Sequence, residues 1–228
     1  MRWETQGIGP RSRVFRGVIR PMYAGARSVA FRTIDGLLGV RTTQATSSNG
    51  AKSLDERPPN VSWGWLSLVR LLRRHPLGPT DVFVDIGSGT GRVALAASWM
   101  FRCRRVIAVE RDPRLHARAV ENLRTCRATP RTPIELVHAD ALTWDLPADA
   151  TTIFFFNSFR GKEFQELVER MLESLDRSPR SVQFLYANPV EAEFLARSPR
   201  FELIDVVRSW RPRADWTRTT SVSVYRVR

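Results

Sequence analysis

The sequence predicts an α/β domain around a doubly wound, mostly parallel seven-stranded sheet, finished by an antiparallel C-terminal hairpin and preceded by a helical or irregular N-terminal extension. Three observations carry this expectation. Between residues 81 and 187, short and almost continuously apolar runs alternate with segments of helical period, as when crossover helices cover both faces of parallel strands. The first run ends in the glycine-rich stretch Gly87-Ser88-Gly89-Thr90-Gly91, where a strand can turn sharply into a helix. The last two runs, 201–207 and 221–227, flank a Trp- and Arg-rich stretch without room for a crossover helix, so they should pair antiparallel.

The elements follow in order. Residues 1–60 mix Arg, Gly, Ser, Thr and Pro with short apolar clusters such as Val29-Ala30-Phe31, and Pro21 argues against one long helix there. This segment is expected to be a basic cap on the domain formed by residues 61–228, although its many arginines and few acids also suit a transit peptide. Residues 42–62 are rich in turn formers and read as a mobile connection. Trp63, Trp65, Leu66, Leu68, Val69, Leu71 and Leu72 then suit an amphipathic helix ending before Pro76. Strands are expected at 81–86, 105–110, 134–139, 151–157 and 181–187, with helices at 91–101, 113–124 and 162–175.

Composition narrows the function. The 228 residues are 43% hydrophobic and contain no apolar run long enough to span a bilayer, so a soluble, cytoplasmic chain is expected. Cys103 and Cys126 are the only cysteines, beside 3 histidines, which disfavours a disulfide framework, a Cys/His zinc site or any other bound metal. Net charge is +13, and all basic residues except Lys52 and Lys162 are arginine. The charge is uneven, with thirteen basic residues against five acidic over 70–131 and six against eleven over 132–199. A basic face that meets nucleic acid is one explanation, and codon composition is the other.

The glycine stretch offers backbone that a ligand can approach closely, followed by the free N–H groups of a helix start. A dinucleotide fingerprint, G-x-G-x-x-G/A, would need a small residue where Arg92 stands, and that bulk disfavours a nicotinamide oxidoreductase. The spacing Asp85-Ile86-Gly87-Ser88-Gly89-Thr90-Gly91 is D-x-G-x-G-x-G instead. It resembles the first motif of the class I S-adenosylmethionine (SAM) dependent methyltransferases, and the resemblance runs from about residue 61 to 228 with its motifs in the family's order. It implies a Rossmann-like fold, SAM as cofactor and methyl transfer as the reaction.

The resemblance also implies roles. Asp85 with Gly87, Ser88, Gly89 and Gly91 would hold the amino-acid part of SAM. Glu110, at a strand end, would accept the ribose hydroxyls, since Asp112 already suits the N-cap before Pro113. Asp140 would meet the exocyclic amine of the adenine, beside the backbone amide at Ala141, whereas His138 reads as structural. Asn157, orienting the acceptor or the methionine part of SAM, and Phe159, touching substrate, would stand at the reactive methyl. Asn157-Ser158-Phe159 lacks the prolines of the Asn/Asp-Pro-Pro-aromatic motif found in many nucleic-acid amino-methyltransferases. It more distantly resembles the Asn-x-Phe turn of Dot1-type protein lysine methyltransferases and of a bacterial group with Asn-Pro-Phe, to which Tyr186-Ala187-Asn188-Pro189 is also similar. The turn does not identify the acceptor, for which a protein amine or another nitrogen nucleophile is the leading expectation. RNA is the alternative, with Trp63, Trp65, Trp210 and Trp216 as stacking surfaces, and a noncatalytic SAM-binding module is a third.

Overall fold

A computed structural model describes residues 20–43, 64–156, 158–208 and 221–228. The order is α1 (Arg20–Leu38), α2 (Trp65–Arg74), β1 (Val82–Ile86), α3 (Arg92–Met100), β2 (Arg105–Glu110), α4 (Pro113–Thr125), β3 (Ile134–His138), β4 (Thr152–Phe156), α5 (Gly161–Arg177), β5 (Val182–Ala187), α6 (Ala192–Ala196), β6 (Phe201–Arg208) and β7 (Ser221–Val227). The seven strands form one sheet in the order β3-β2-β1-β4-β5-β7-β6. Strands β1 to β5 are parallel, and β7 runs antiparallel to both β5 and β6. After β3 the chain returns across β1, so the order reverses between β1 and β4. Open α/β sheets bind ligands at the strand carboxyl ends beside such a switch.

Side-chain alternation sorts the strands into two cores. Phe83, Val106, Ala108, Phe154 and Leu185 pack toward α2 and α3, with Phe31, Ile34 and Leu38 of α1 against the same cluster. Val84, Ile107, Ile153, Phe155 and Phe184 face Phe164, Leu167, Val168, Met171 and Leu175 of α5 and Leu195 of α6. The ring of Phe155 lies 5.3–6.3 Å from those of Phe159, Phe164, Phe184 and Tyr186. Burying each such ring contributes roughly 1.5–3 kcal/mol. β1 is buried throughout, whereas β3 and β6 are the sheet edges and expose part of their residues.

The seven strands and four of the helices stand where the sequence places them, to within a residue or two at most ends. Helix α6, only five residues long, was not expected because so short an element shows no period. Pro21 does not prevent a long α1: it lies in the first turn, where its missing N–H has no intrahelical acceptor to lose. Among the described residues, no helix is long and apolar enough to cross a membrane.

Candidate functional site

The loop from β1 to α3 is built by three glycines with positive φ: Gly87 at 70°, Gly89 at 58° and Gly91 at 81°. The N–H groups of Gly87 and Ser88 both donate to the carbonyl of Val109 in β2, at 2.9 and 3.0 Å, and the N–H of Gly91 donates to the Ser88 carbonyl at 2.9 Å. Gly87 is also sterically required. A Cβ there would sit 1.9 Å from Oγ of Ser158, whose hydroxyl donates to the Ile86 carbonyl at 3.2 Å. Ser158, the departure from proline in the Asn157-Ser158-Phe159 turn, thus fastens the end of β4 to the end of β1.

Glu110 closes the other side of the loop. Its Oε2 accepts from the Gly89 N–H and its Oε1 from the Asp112 N–H, both at 2.8 Å. Each oxygen keeps further lone-pair capacity. Asp85 lies in β1, almost wholly buried. Burial foremost, and the charge of Glu110 next, push its pKa up to about 8, against a small downward pull from the amide of Ala94. Its Oδ2 and the Oγ of Ser88 are buried without a hydrogen-bond partner among the described residues. Two orphaned polar atoms three residues apart are uncommon in a native interior. They suit a ligand with hydrogen-bond donors, so the donor set fits the amino-acid end of SAM.

On the far rim, Asp140 pairs through Oδ2 with Nη1 of Arg111 at 2.8 Å and accepts from the Leu142 N–H at 3.0 Å through Oδ1. Partial burial works to raise its pKa, but the Arg111 hydrogen bond, the Leu142 amide and the Arg111 charge together hold it below the usual carboxylate range. Ala141 beside it is buried. Asp112 caps α4 as expected, accepting from the N–H groups of Arg114 and Leu115. His138 is bonded to the Arg111 carbonyl through Nε2 at 3.1 Å and stacked on His116, which fits its structural assignment.

Two expectations are corrected. Phe159 is only 7% exposed and stacks on Phe155; its ring belongs to the α5-side core and not to an open substrate surface. Trp65 is no stacking platform either, because it is buried, lies parallel to Trp99 at 5.6 Å and donates through Nε1 to Asp35 at 3.1 Å. Asn157, Trp63, Trp210, Trp216 and the connection at 44–62 lie outside the described residues.

Contacts that sequence alone did not reveal tie the N-terminal segment to the loop. Arg92, the first residue of α3, is 3% exposed. Its guanidinium donates to the hydroxyls of Thr42 and Thr43, both at 2.8 Å, and lies 3.8 Å from Oδ1 of Asp35. It also sits over the rings of Phe31 and Trp65, 5.1 and 5.4 Å from their centres. Asp35 in turn accepts from the N–H groups of Thr42 and Thr43 and from the Thr42 hydroxyl, each at 2.7 Å. Thr90 of the loop donates to the Thr42 carbonyl at 3.2 Å, and Asn122 of α4 donates to the Thr90 carbonyl at 2.9 Å. The chain between 29 and 43 therefore shares the core of the main domain and braces its glycine loop. The sequence shows Asp35 and Arg92 only as one acid and one arginine 57 residues apart, with nothing to mark either as buried, so the pairing stayed hidden.

A glycine loop at the switch point, a strand-end carboxylate across from it and the β7 insertion define the class: this is a class I SAM-dependent methyltransferase. The family model for ribosomal RNA adenine dimethylase matches residues 66–185, and the chain belongs to that family. Among solved structures, a precorrin 8W decarboxylase from Methanobacterium thermoautotrophicum is similar with TM-score 0.53 and 24% identity, covering 74% of this chain and 92% of that one. A SAM-dependent methyltransferase from Leishmania major follows at TM-score 0.51 and 12% identity, covering 72% of each chain. An rRNA methylase from Streptococcus thermophilus is similar at TM-score 0.50 and 13% identity, over 77% of this chain and 99% of that one. At such identities these likenesses speak to the fold alone. No curated protein sequence matches the chain. The family match lends no support to the Dot1-type resemblance or to a protein amine as acceptor.

Proposed function

We propose that the chain transfers methyl groups from SAM to the exocyclic amine of an adenine in RNA. The family supports the acceptor, and the observation that carries the site is the pair of orphaned buried atoms, Asp85 Oδ2 near the end of β1 and Ser88 Oγ in the loop that Gly87 turns and Glu110 bonds through Gly89. When bound, SAM supplies a methyl carbon activated by its sulfonium, and the protein's part is to position and desolvate. Asp85 and Ser88 take the amino-acid end. Glu110 keeps its bonds to Gly89 and Asp112 and offers its remaining lone pairs to the ribose hydroxyls. Asp140 and the amide at Ala141 meet the adenine edge of the cofactor, with Arg111 keeping Asp140 ionised. Asn157, by its place directly after β4, orients the incoming amine.

The acceptor turn also favours an adenine amine on chemical grounds. Its described residues, Phe156, Ser158, Phe159 and Arg160, include no carboxylate or imidazole. A lysine ammonium, with an ordinary pKa of about 10.4, would first have to lose a proton. An aromatic amine is uncharged at neutral pH, so its nitrogen would need no prior deprotonation to take the methyl group that bound SAM would supply, and the proton it then carries would pass to water. Incubation of the protein with methyl-labelled SAM and separated RNA and protein fractions of a cell extract tests this. Label is expected in RNA, recovered as N6-methylated adenosine after nuclease digestion. Label confined to protein would overturn the assignment.

A further inference from the structure

Outside the cofactor pocket, the described surface is electrically lopsided. On the α5 side, Glu166, Glu169, Glu173 and Asp176 are exposed along one helix, which carries five acidic residues against the three basic ones Lys162, Arg170 and Arg177. On the α4 side, Arg114 and Arg118 stand one turn apart, about 6 Å along the helix axis, and both are exposed. Arg41 is held by its backbone one turn past Arg118: its N–H donates to Oδ1 of Asn122 at 2.7 Å, and its carbonyl accepts from Nδ2 of Asn122 at 3.3 Å. Arg127 lies at the same junction, donating through Nη1 to the Gly36 carbonyl at 3.4 Å. Among the described residues two acids adjoin this group: Asp112, whose Oδ1 accepts from the backbone N–H groups of Arg114 and Leu115 at the start of α4, and Glu121. Glu121 is occupied by a two-pronged bond from Arg124, at 3.1 and 2.9 Å, and the charges of Arg118 and Arg41 also act on it, so its pKa falls. Arg41, Arg114 and Arg118 form no ion pair with a carboxylate among the described residues.

We infer that this α1–α4 junction, Arg41 with Arg114, Arg118 and Arg127, is the surface on which the RNA backbone lies during methyl transfer. The inference rests on the proposed RNA acceptor and specifies the face that receives it. Exposed like charges held together repel one another unless an anion neutralises them, and the planar guanidinium fork matches phosphate oxygens better than ammonium does. The location suits the task. Helix α4 starts at the carboxyl rim of the sheet just past Glu110, and Asn122, which holds Arg41, also holds Thr90 of the cofactor loop. The acidic α5 face repels a polyanion, so the nucleic acid is steered to the α4 side of the same rim.

The test compares wild-type protein, the triple variant Arg41→Gln/Arg114→Gln/Arg118→Gln and a charge-matched control, Arg70→Gln/Arg73→Gln/Arg102→Gln, whose arginines are exposed elsewhere. The probe is a fluorescein-labelled, adenine-containing RNA hairpin titrated at several salt concentrations, with SAM affinity measured in parallel by calorimetry. The α4 variant is expected to bind RNA at least about tenfold more weakly at low salt, with a log–log salt slope shallower by roughly 2 to 3. Its SAM affinity should be unchanged, and the control should stay near wild type. Equal losses in both variants, or no loss in the α4 variant, would overturn the surface while leaving the RNA acceptor standing. Failure of wild-type protein to bind the hairpin at low salt, or preference for anionic vesicles over it, would overturn surface and acceptor together.

Discussion

Asp85 gives the sharpest physical test, because its burial sets stability against cofactor binding. Its pKa is near 8 in the folded protein against an ordinary 3.8. Below pH 3.8 both folded and unfolded chains hold the proton, and the group contributes nothing to stability. Between 3.8 and 8 the unfolded chain has released its proton while the folded one retains it, so each pH unit removes about 1.4 kcal/mol of stability. Above pH 8 the full penalty, on the order of 6 kcal/mol, remains. Asp85→Asn deletes the ionisation. It introduces an amide whose unmet donors cost about 1–3 kcal/mol, but that cost is independent of pH. Urea denaturation of both proteins without cofactor at pH 5 and pH 8 isolates the linkage: the variant is expected to gain on wild type by roughly 3–4 kcal/mol between the two. Stabilities that track each other within about 1 kcal/mol across this window would refute a protonated, desolvated Asp85. The converse appears on binding. If ionised Asp85 meets the ammonium of SAM, wild-type protein should release a proton on binding at pH 7, seen by calorimetry in buffers of different ionisation enthalpy, and Asp85→Asn should bind weakly with no release.

Three further outcomes follow from the same geometry. Asp35→Ala leaves Arg92 buried without its carboxylate and strips acceptors from Thr42, Thr43 and Trp65; it should cost about 3–5 kcal/mol, read as a thermal midpoint lowered by roughly 10 °C. Glu110→Ala removes the acceptor of two loop amides as well as the ribose acceptor, so SAM affinity should fall at least about 100-fold in a calorimetric titration while circular dichroism stays native. Phe159→Leu should lower stability by about 1–2 kcal/mol and leave the KM for RNA unchanged in a methylation assay; a raised KM would restore Phe159 to the substrate surface.

The fold was legible in the sequence because its information is local. β1, β2, β4 and β5 are central and almost wholly buried, and so written as nearly continuous apolar runs, while α5 carries Phe164, Leu167, Met171 and Leu175 at helical spacing. The glycine loop was legible for the same reason, since the backbone that needs Gly87, Gly89 and Gly91 lies within five residues. The polar contacts that finish the site are not local. Glu110 reaches back 21 residues to Gly89, Asn122 reaches 32 residues to Thr90, and Ser158 reaches 72 residues to Ile86. No periodicity encodes which strand end will stand beside which loop. Phe159 was misplaced for a related reason: a residue just beyond a strand end can turn toward the cavity or back onto the core, and the ring of Phe155 settles it.

Arg92 shows how such a pairing changes an argument. Its bulk, where a dinucleotide fingerprint has glycine or alanine, spoke against a nicotinamide cofactor on the assumption that a large side chain would separate α3 from the sheet. The structure removes that assumption. The side chain is buried, bonded to Thr42 and Thr43 and enclosed by Phe31, Trp65 and Asp35, and α3 still packs Ala94, Ala96 and Ala97 into the core. Size at this position therefore does not exclude a dinucleotide. What identifies the cofactor is the D-x-G-x-G-x-G spacing together with the family match. Arg92 has a different consequence, because the α3 residue that follows the loop is bonded to the N-terminal segment. A change that loosens residues 29–43 should then reach the cofactor site through Thr42 and Thr90, with no altered residue touching the cofactor.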